Sequence, residues 1–256
     1  MNENINNKIN QKIINLMTPI SKGLTVADVR IGLAYTSVRL DNENTGIAWT
    51  GHGLSKGCTH LSEAGTLAGR PAYELLNMLA DENNSLCRTI GLAAANALAA
   101  YTPHPETVSV EILKLINIQP TEHVVMVGFF GPLIPRIRQT GCRLDILELK
   151  SDKPGTISPD EGRSALSICN IAIITATSIV TNTIDDLLSS IGNVRAAVIL
   201  GPSSFMRPEI FSQTPVTHIA GGWIRDTSAV ERIVSEGGGT KTLKQYMDFE
   251  TICLKP

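Results

Sequence analysis

Residues 122–138 read EHVVMVGFFGPLIPRIR, and the organisation of the whole chain follows from them. The apolar run 124–127, rich in valine and closed by Gly128, has the character of a strand covered on both faces. Gly128 and Gly131 allow a tight turn, and Pro132 suits the start of a helix, where no amide hydrogen is needed. Strand, glycine turn and helix in succession open a doubly wound α/β unit, with free helix-start amides at the strand's carboxyl end.

Beyond Pro120 this texture repeats as alternating strand and helix. The pattern predicts strands at 123–127, 143–149, 170–175, 196–200 and 216–220, and helices at 132–140, 159–167, 183–191, 207–213 and 226–236. Before Pro120 the pattern differs. Isoleucines at 5, 9, 13, 14 and 20, with Met17, predict an opening amphipathic helix over 3–19. Short strands are expected at 26–34, 35–40 and 46–50, with Asp41, Asn42, Asn44 and Gly46 turning the last pair. Helices are expected from Pro71, from Asn84 or Ser85 to about Tyr101, and over 106–116. Two domains result, an α+β domain at 1–119 and an α/β domain at 120–256, divided near 118–121.

Composition narrows the function class. Hydrophobic residues make up 43% of the 256 positions and charged residues 18%, as in an ordinary globular chain. A net charge of −2 without a basic run, and an aromatic content of 4%, argue against nucleic acid or an anionic membrane as partner. The five cysteines are scattered without a CxxC pair, so neither a disulfide framework nor a zinc module is indicated. The polar start, MNENINNKINQ, lacks a signal peptide's apolar core, and a cytoplasmic protein is expected. A homo-oligomer is compatible with this composition, although no stretch specifies an interface.

In an open parallel sheet, ligands bind beyond the carboxyl ends of the strands. Those ends carry Gly128, Phe129, Phe130 and Gly131; then Glu148; then Thr175, Thr177, Ser178 and Asn182; then Gly201, Pro202 and Ser203; and last Gly221 and Gly222. Glu148 lies about twenty residues past the first glycine, where an acidic side chain often holds a ribose hydroxyl. The glycine spacing is GxxG rather than GxGxxG, and two phenylalanines crowd a pyrophosphate, so a plain tight turn is the commoner meaning of such a match. Recurring hydroxyl, amide and glycine groups at successive strand ends point to a polar small-ligand site. Asn96, Thr36 and the loop bearing Cys58 are expected to reach it from the amino-terminal side. Cys58 and His60, near His52 and Glu63, form a second candidate because thiolate and imidazole ligate transition metals. Their spacing matches no established zinc motif.

The segments VGFFGPLIPRIRQTGCRLDILEL, IITATSIVTNTIDDLL, LGPSSFMRPEIF and SEGGGTKTL resemble the heavy-metal-chelation family of bacterial and archaeal proteins. Upstream, IGLAYTSV, AGTLAGRPAYELL and RTIGLAAANALA resemble that family's amino-terminal domain. The resemblance implies an enolase-N-terminal-like domain followed by a Rossmann-like domain, with a site in the cleft between them. It implies handling of a transition-metal ion or a metal chelate. The alternative is an enzyme using a nucleotide or S-adenosyl ligand over 128–131. The chain lacks the acidic-x-Gly-x-Gly loop of many methyl-donor sites.

Overall fold

Helix α1 (Ile9–Ser21) turns Ile9, Ile13, Ile14 and Met17 inward, as the isoleucine spacing predicts. Three antiparallel strands follow, β1 (Val26–Ile31), β2 (Tyr35–Leu40) and β3 (Thr45–Trp49), in the order β1-β2-β3. The turn between β2 and β3 places Glu43 at φ 67°, with the Asn42 side chain accepting from the Asn44 amide. These elements belong to a computed structural model that describes residues 8–51, 60–148 and 155–254.

Helix α2 (Ala72–Asn77) and a 3-10 turn (Met78–Ala80) lead to α3 (Ser85–Tyr101). Asn84 caps α3 by accepting hydrogen bonds from the Leu86 and Cys87 amides at 3.0 and 3.3 Å. The alanine-rich α3 packs directly on β2 and β3. Gly46 makes this possible, since a Cβ there would lie 2.2 Å from the Ala93 carbonyl oxygen and from the Ala97 nitrogen.

After the short helix α4 (Ile112–Ile116) the chain builds a six-stranded sheet in the order β5-β4-β6-β7-β8-β9. Its strands are β4 (His123–Val127), β5 (Arg143–Leu147), β6 (Ile171–Thr175), β7 (Ala196–Leu200), β8 (His218–Ile224) and β9 (Met247–Cys253). All pairings are parallel except β8 with β9. The intervening helices are α5 (Ile134–Arg138), α6 (Pro159–Ile168), α7 (Thr177–Val180), α8 (Ile184–Ser190), α9 (Thr227–Ser235) and α10 (Thr240–Leu243), with a 3-10 turn at Pro208–Phe211. The chain leaves β4 for β5 on one side and returns to β6 on the other. Strand order therefore reverses between β4 and β6, which opens a crevice at their carboxyl ends.

One buried cluster runs through both sheets, from Ile13, Leu40 and Leu92 to Ile174, Phe205 and Ile219. Helix α9 packs against β1 and β2, where the buried Glu231 carboxylate pairs with Arg39 Nε at 2.8 Å and Arg30 Nη2 at 3.3 Å. Among the described residues no helix is long and apolar enough to cross a membrane.

Several expectations need correction. The helix expected over 106–116 is confined to Ile112–Ile116, because Val108 forms an antiparallel bridge with Thr251, at 2.8 and 2.9 Å in the two directions. Strand β9 was absent from the alternating pattern, and β8 runs on to Ile224 because β9 pairs with it throughout. Gly221 and Gly222 consequently lie within a strand. The first strand stops at Ile31, and the short helices α7 and α10 are additional. The segment expected as helix over 207–213 is a single 3-10 turn.

Candidate functional site

Each strand end in the crevice is extended by one ladder hydrogen bond. The amides of Gly128, Ala176 and Gly201 donate to the carbonyls of Leu147, Leu200 and Ala220 at 2.8, 2.9 and 3.0 Å. The chain then turns away in three loops. Gly128 turns at φ 92°, with Thr175 so close that a Cβ would lie 2.9 Å from its Cγ2. The Phe130 carbonyl next accepts from the amides of Leu133 and Ile134, which starts α5.

These loops floor a cleft of about 610 Å³, within the range that accommodates a small organic ligand. Phe129, Phe130 and Gly131 form one wall, Thr175 and Thr177 the floor, and Gly201, Pro202 and Ser203 the far side. These eight expected site residues, and the strand-end Gly221, are thus brought together. The remaining walls come from segments that the strand-end rule does not cover. Residues 109–112 cross beside the cleft, pinned to β9 by the Val108–Thr251 bridge and by Thr107 donating to Glu250 at 2.9 Å. Tyr35 from β2, Thr240 and Lys244 after the triple glycine, and residues 249–251 of β9 complete it.

Several expected residues serve the structure instead. Ser178 is buried, and its hydroxyl donates to the Thr175 carbonyl at 2.7 Å, outside the cleft lining. Asn182 adopts φ 57° and accepts from the Asn10 side chain, on the side of α1. Asn96 donates to the Ile47 carbonyl at 2.9 Å and borders a separate cavity of about 20 Å³. Thr36 lies buried against Thr50, with their hydroxyl oxygens 3.0 Å apart. Glu148 stands at the end of β5, outside the lining. Cys58 and His52 lie outside the described residues, whereas His60 is described and exposed. Among the described residues no group of three or more His, Cys, Asp or Glu is arranged to hold a metal ion.

The polar groups of the lining are largely engaged. Ser203 accepts from the Trp49 amide at 2.7 Å. Thr175 and Thr177 place their hydroxyl oxygens 3.0 Å apart. Glu111 is gripped by both terminal nitrogens of Arg136 at 3.0 and 2.6 Å, and this hydrogen bonding holds its carboxyl below the ordinary carboxylate range. Burial pushes the Tyr35 phenol upward, opposed by the hydrogen bond to Thr240, whose hydroxyl oxygen lies 2.6 Å away. Lys244 is exposed at the mouth. Around these groups the surface is apolar, with Phe129, Phe130, Leu133, Leu200, Ile112 and Phe249 lining it. Sequence signals for the missed walls existed, notably GGGTKTL and the alternating MDFETIC, but neither carries a recognised ligand motif.

Residues 111–253 match DUF364 and residues 14–99 match DUF4213, each described as "Putative heavy-metal chelation". The "Uncharacterized protein MJ0500" of Methanocaldococcus jannaschii is 24% identical over 233 residues, which is 86% of this chain and 86% of that one. A crystal structure of a protein of unknown function from the DUF364 family of Pyrococcus horikoshii superposes with TM-score 0.84 at 21% identity, covering 96% of this chain and 99% of the other. Another, from Desulfitobacterium hafniense DCB-2, gives TM-score 0.76 at 22% identity, covering 95% and 99%. Both carry the same fold.

Proposed function

The chain belongs to the DUF364 family, and from that premise we propose that it binds a metal as a preformed organic chelate in the cleft beyond β4, β6 and β7. The observation that carries this reading is the donor chemistry of the lining. Its described side chains offer hydroxyl and carboxylate oxygens, one ammonium and aromatic rings, with neither imidazole nor thiolate among them. Soft and borderline transition metals are held by nitrogen and sulfur donors. The residues present therefore do not fit a bare heavy-metal ion, whereas an organic molecule that supplies its own donors suits an apolar cleft with a few polar groups. In this reading the metal is cargo. The chain's residues bind and orient its organic shell, with Thr175 and Thr177 below and Tyr35 and Thr240 beside it.

Calorimetric titration of metal-stripped protein with zinc chloride, 8-hydroxyquinoline-5-sulfonate and their preformed complex tests the proposal. The complex is expected to bind more tightly than either component. Zinc chloride binding as tightly as the complex, or a complex no better than the free chelator, would overturn it.

The alternative of a nucleotide or S-adenosyl ligand is supported by the cleft's position at the reversal of strand order. Glu148, the group intended for its ribose, stands outside the lining. A rise in melting temperature with adenine nucleotides or S-adenosylmethionine, lost in Gly128→Val, would favour this alternative.

A further inference from the structure

The chain is poor in aromatic residues, at 4%, and contains five phenylalanines. Phe205 and Phe211 are fully buried in the core, at 0% exposure. The other three, Phe129, Phe130 and Phe249, all line the one cleft, together with Tyr35. Folding explains these three only in part. Phe130 packs at the edge of the cluster around Ile134 and Met126, and Phe249 at the edge of the cluster around Val230 and Leu243. Phe129 is 42% exposed, in the Phe129–Phe130 pair that Gly128 and Gly131 flank. A single exposed phenylalanine is unremarkable on any protein surface. Placing every phenylalanine outside the core around one cavity is a different matter, because aromatic faces gain beyond simple burial when a second π-system lies against them.

We infer that the ligand of this cleft is a planar, conjugated ring system, held against Phe129, Phe130 and Phe249, an assignment that rests on the chelate-binding reading above for its cargo. Other groups of the lining suit such a molecule. The Tyr35–Thr240 hydroxyl pair and the Lys244 ammonium can meet heteroatoms at a ring edge, leaving the faces to the phenylalanines. A bulky aliphatic ligand of equal size would fill the same volume and forfeit the ring contacts.

Two metal-free monocarboxylates matched in carbon number test the inference, 2-naphthoate, which is planar, and adamantane-1-carboxylate, which is globular. Titration by calorimetry or fluorescence is expected to show 2-naphthoate binding at least about tenfold more tightly, since several ring contacts act together. Phe129→Leu, which keeps apolar bulk at an exposed site, is expected to weaken 2-naphthoate by about threefold to tenfold while leaving adamantane-1-carboxylate unchanged. Phe249→Leu should act in the same direction, with thermal melting establishing that each variant is folded. Equal binding of the two acids, binding of neither, or indifference of folded Phe129→Leu would overturn the inference. Neither acid carries a metal, so the two proposals fail separately. A planar preference without any advantage for the zinc complex removes the chelate reading alone. Binding of the complex without a preference for 2-naphthoate removes the ring assignment alone.

Discussion

Ser203 Oγ accepts a 2.7 Å hydrogen bond from the amide of Trp49, tying the carboxyl end of β7 to the last residue of β3. Ser203 is 1% exposed, so this contact is shielded from water. A strand-end serine selected for its ligand potential thus joins the two sheets and shapes the rim of the cleft. Ser203→Ala leaves the Trp49 amide without its acceptor, and a loss of about 1–3 kcal/mol is expected for a buried unsatisfied donor. Urea unfolding reads this directly. Full stability in the alanine variant would show that the bond is immaterial to the joint.

Gly128 shapes the floor through its backbone. Its φ of 92° and the approach of Thr175 to 2.9 Å of a would-be Cβ disfavour any side chain. Gly128→Ala is expected to cost about 1–3 kcal/mol from backbone strain and crowding. Thr175→Ser removes the nearest methyl and should recover part of that loss, leaving the conformational part. A double-mutant cycle on melting curves measures the recovered share, and strict additivity would count against the crowding.

Glu231 anchors α9 to the antiparallel sheet through Arg30 and Arg39, with its own side chain 8% exposed. The arginines keep 37% and 23% exposure, so water already offsets part of each pair. Glu231→Ala is expected to destabilise by about 1–3 kcal/mol, below the full figure for a buried pair. Glu231→Gln, which keeps the side chain's shape and its carbonyl acceptor, should cost less than Glu231→Ala, while Arg30 and Arg39 retain Asp28 and Glu43 as partners in both variants. Chemical denaturation of the two variants compares them.

The buried thiols set a limit at high pH. Desolvation is the main force pushing Cys87 and Cys169 up to about 11 from the ordinary 9.0. The unfolded chain ionises first, so above pH 9 it binds fewer protons than the native state. Stability is then whole below that value and declines as pH rises toward 11. Tyr35, also raised by burial, adds to the decline above about pH 10. Cys169→Ala should flatten the alkaline limb of a stability–pH profile. Cys253, which is exposed, is expected to react with a thiol reagent in the native state far faster than Cys87 or Cys169.

Acid weakens a different contact. Arg195 grips Glu122 at 2.7 and 2.8 Å, and its hydrogen bonds lower the Glu122 carboxyl from the ordinary 4.5. The depressed group contributes stability above pH 4.5 that is lost as pH falls through its native value. Glu122→Gln is expected to reduce stability at pH 7 by up to about 1 kcal/mol and to make the acid limb shallower. An unchanged acid limb in pH-dependent urea unfolding would remove Glu122 from the account.

The fold class and the location of the cleft were legible in residues 122–138 and in the alternation that follows. Apolar period, glycine turns and caps such as Asn84 are local signals, and local chemistry decides whether a strand or helix forms. Strand β9 and the bridge at Val108 were not legible, because each exists through pairing with a partner far along the chain. The same reason hid Tyr35, Thr240 and Lys244, which reach the cleft only when the antiparallel sheet docks against α9 and α10. Polar residues at strand ends announced their chemistry but not their employment. Ser203, Ser178, Asn96 and Asn182 are all taken up by hydrogen bonds to neighbouring elements. A hydroxyl or amide can serve a ligand or a buried amide equally well, and only the surrounding burial settles which. By itself, therefore, the sequence determined the layered α/β architecture and the end of the sheet at which the cleft opens. Tertiary structure decided which side chains remain to line it, because long-range packing assigns the hydrogen-bond partners.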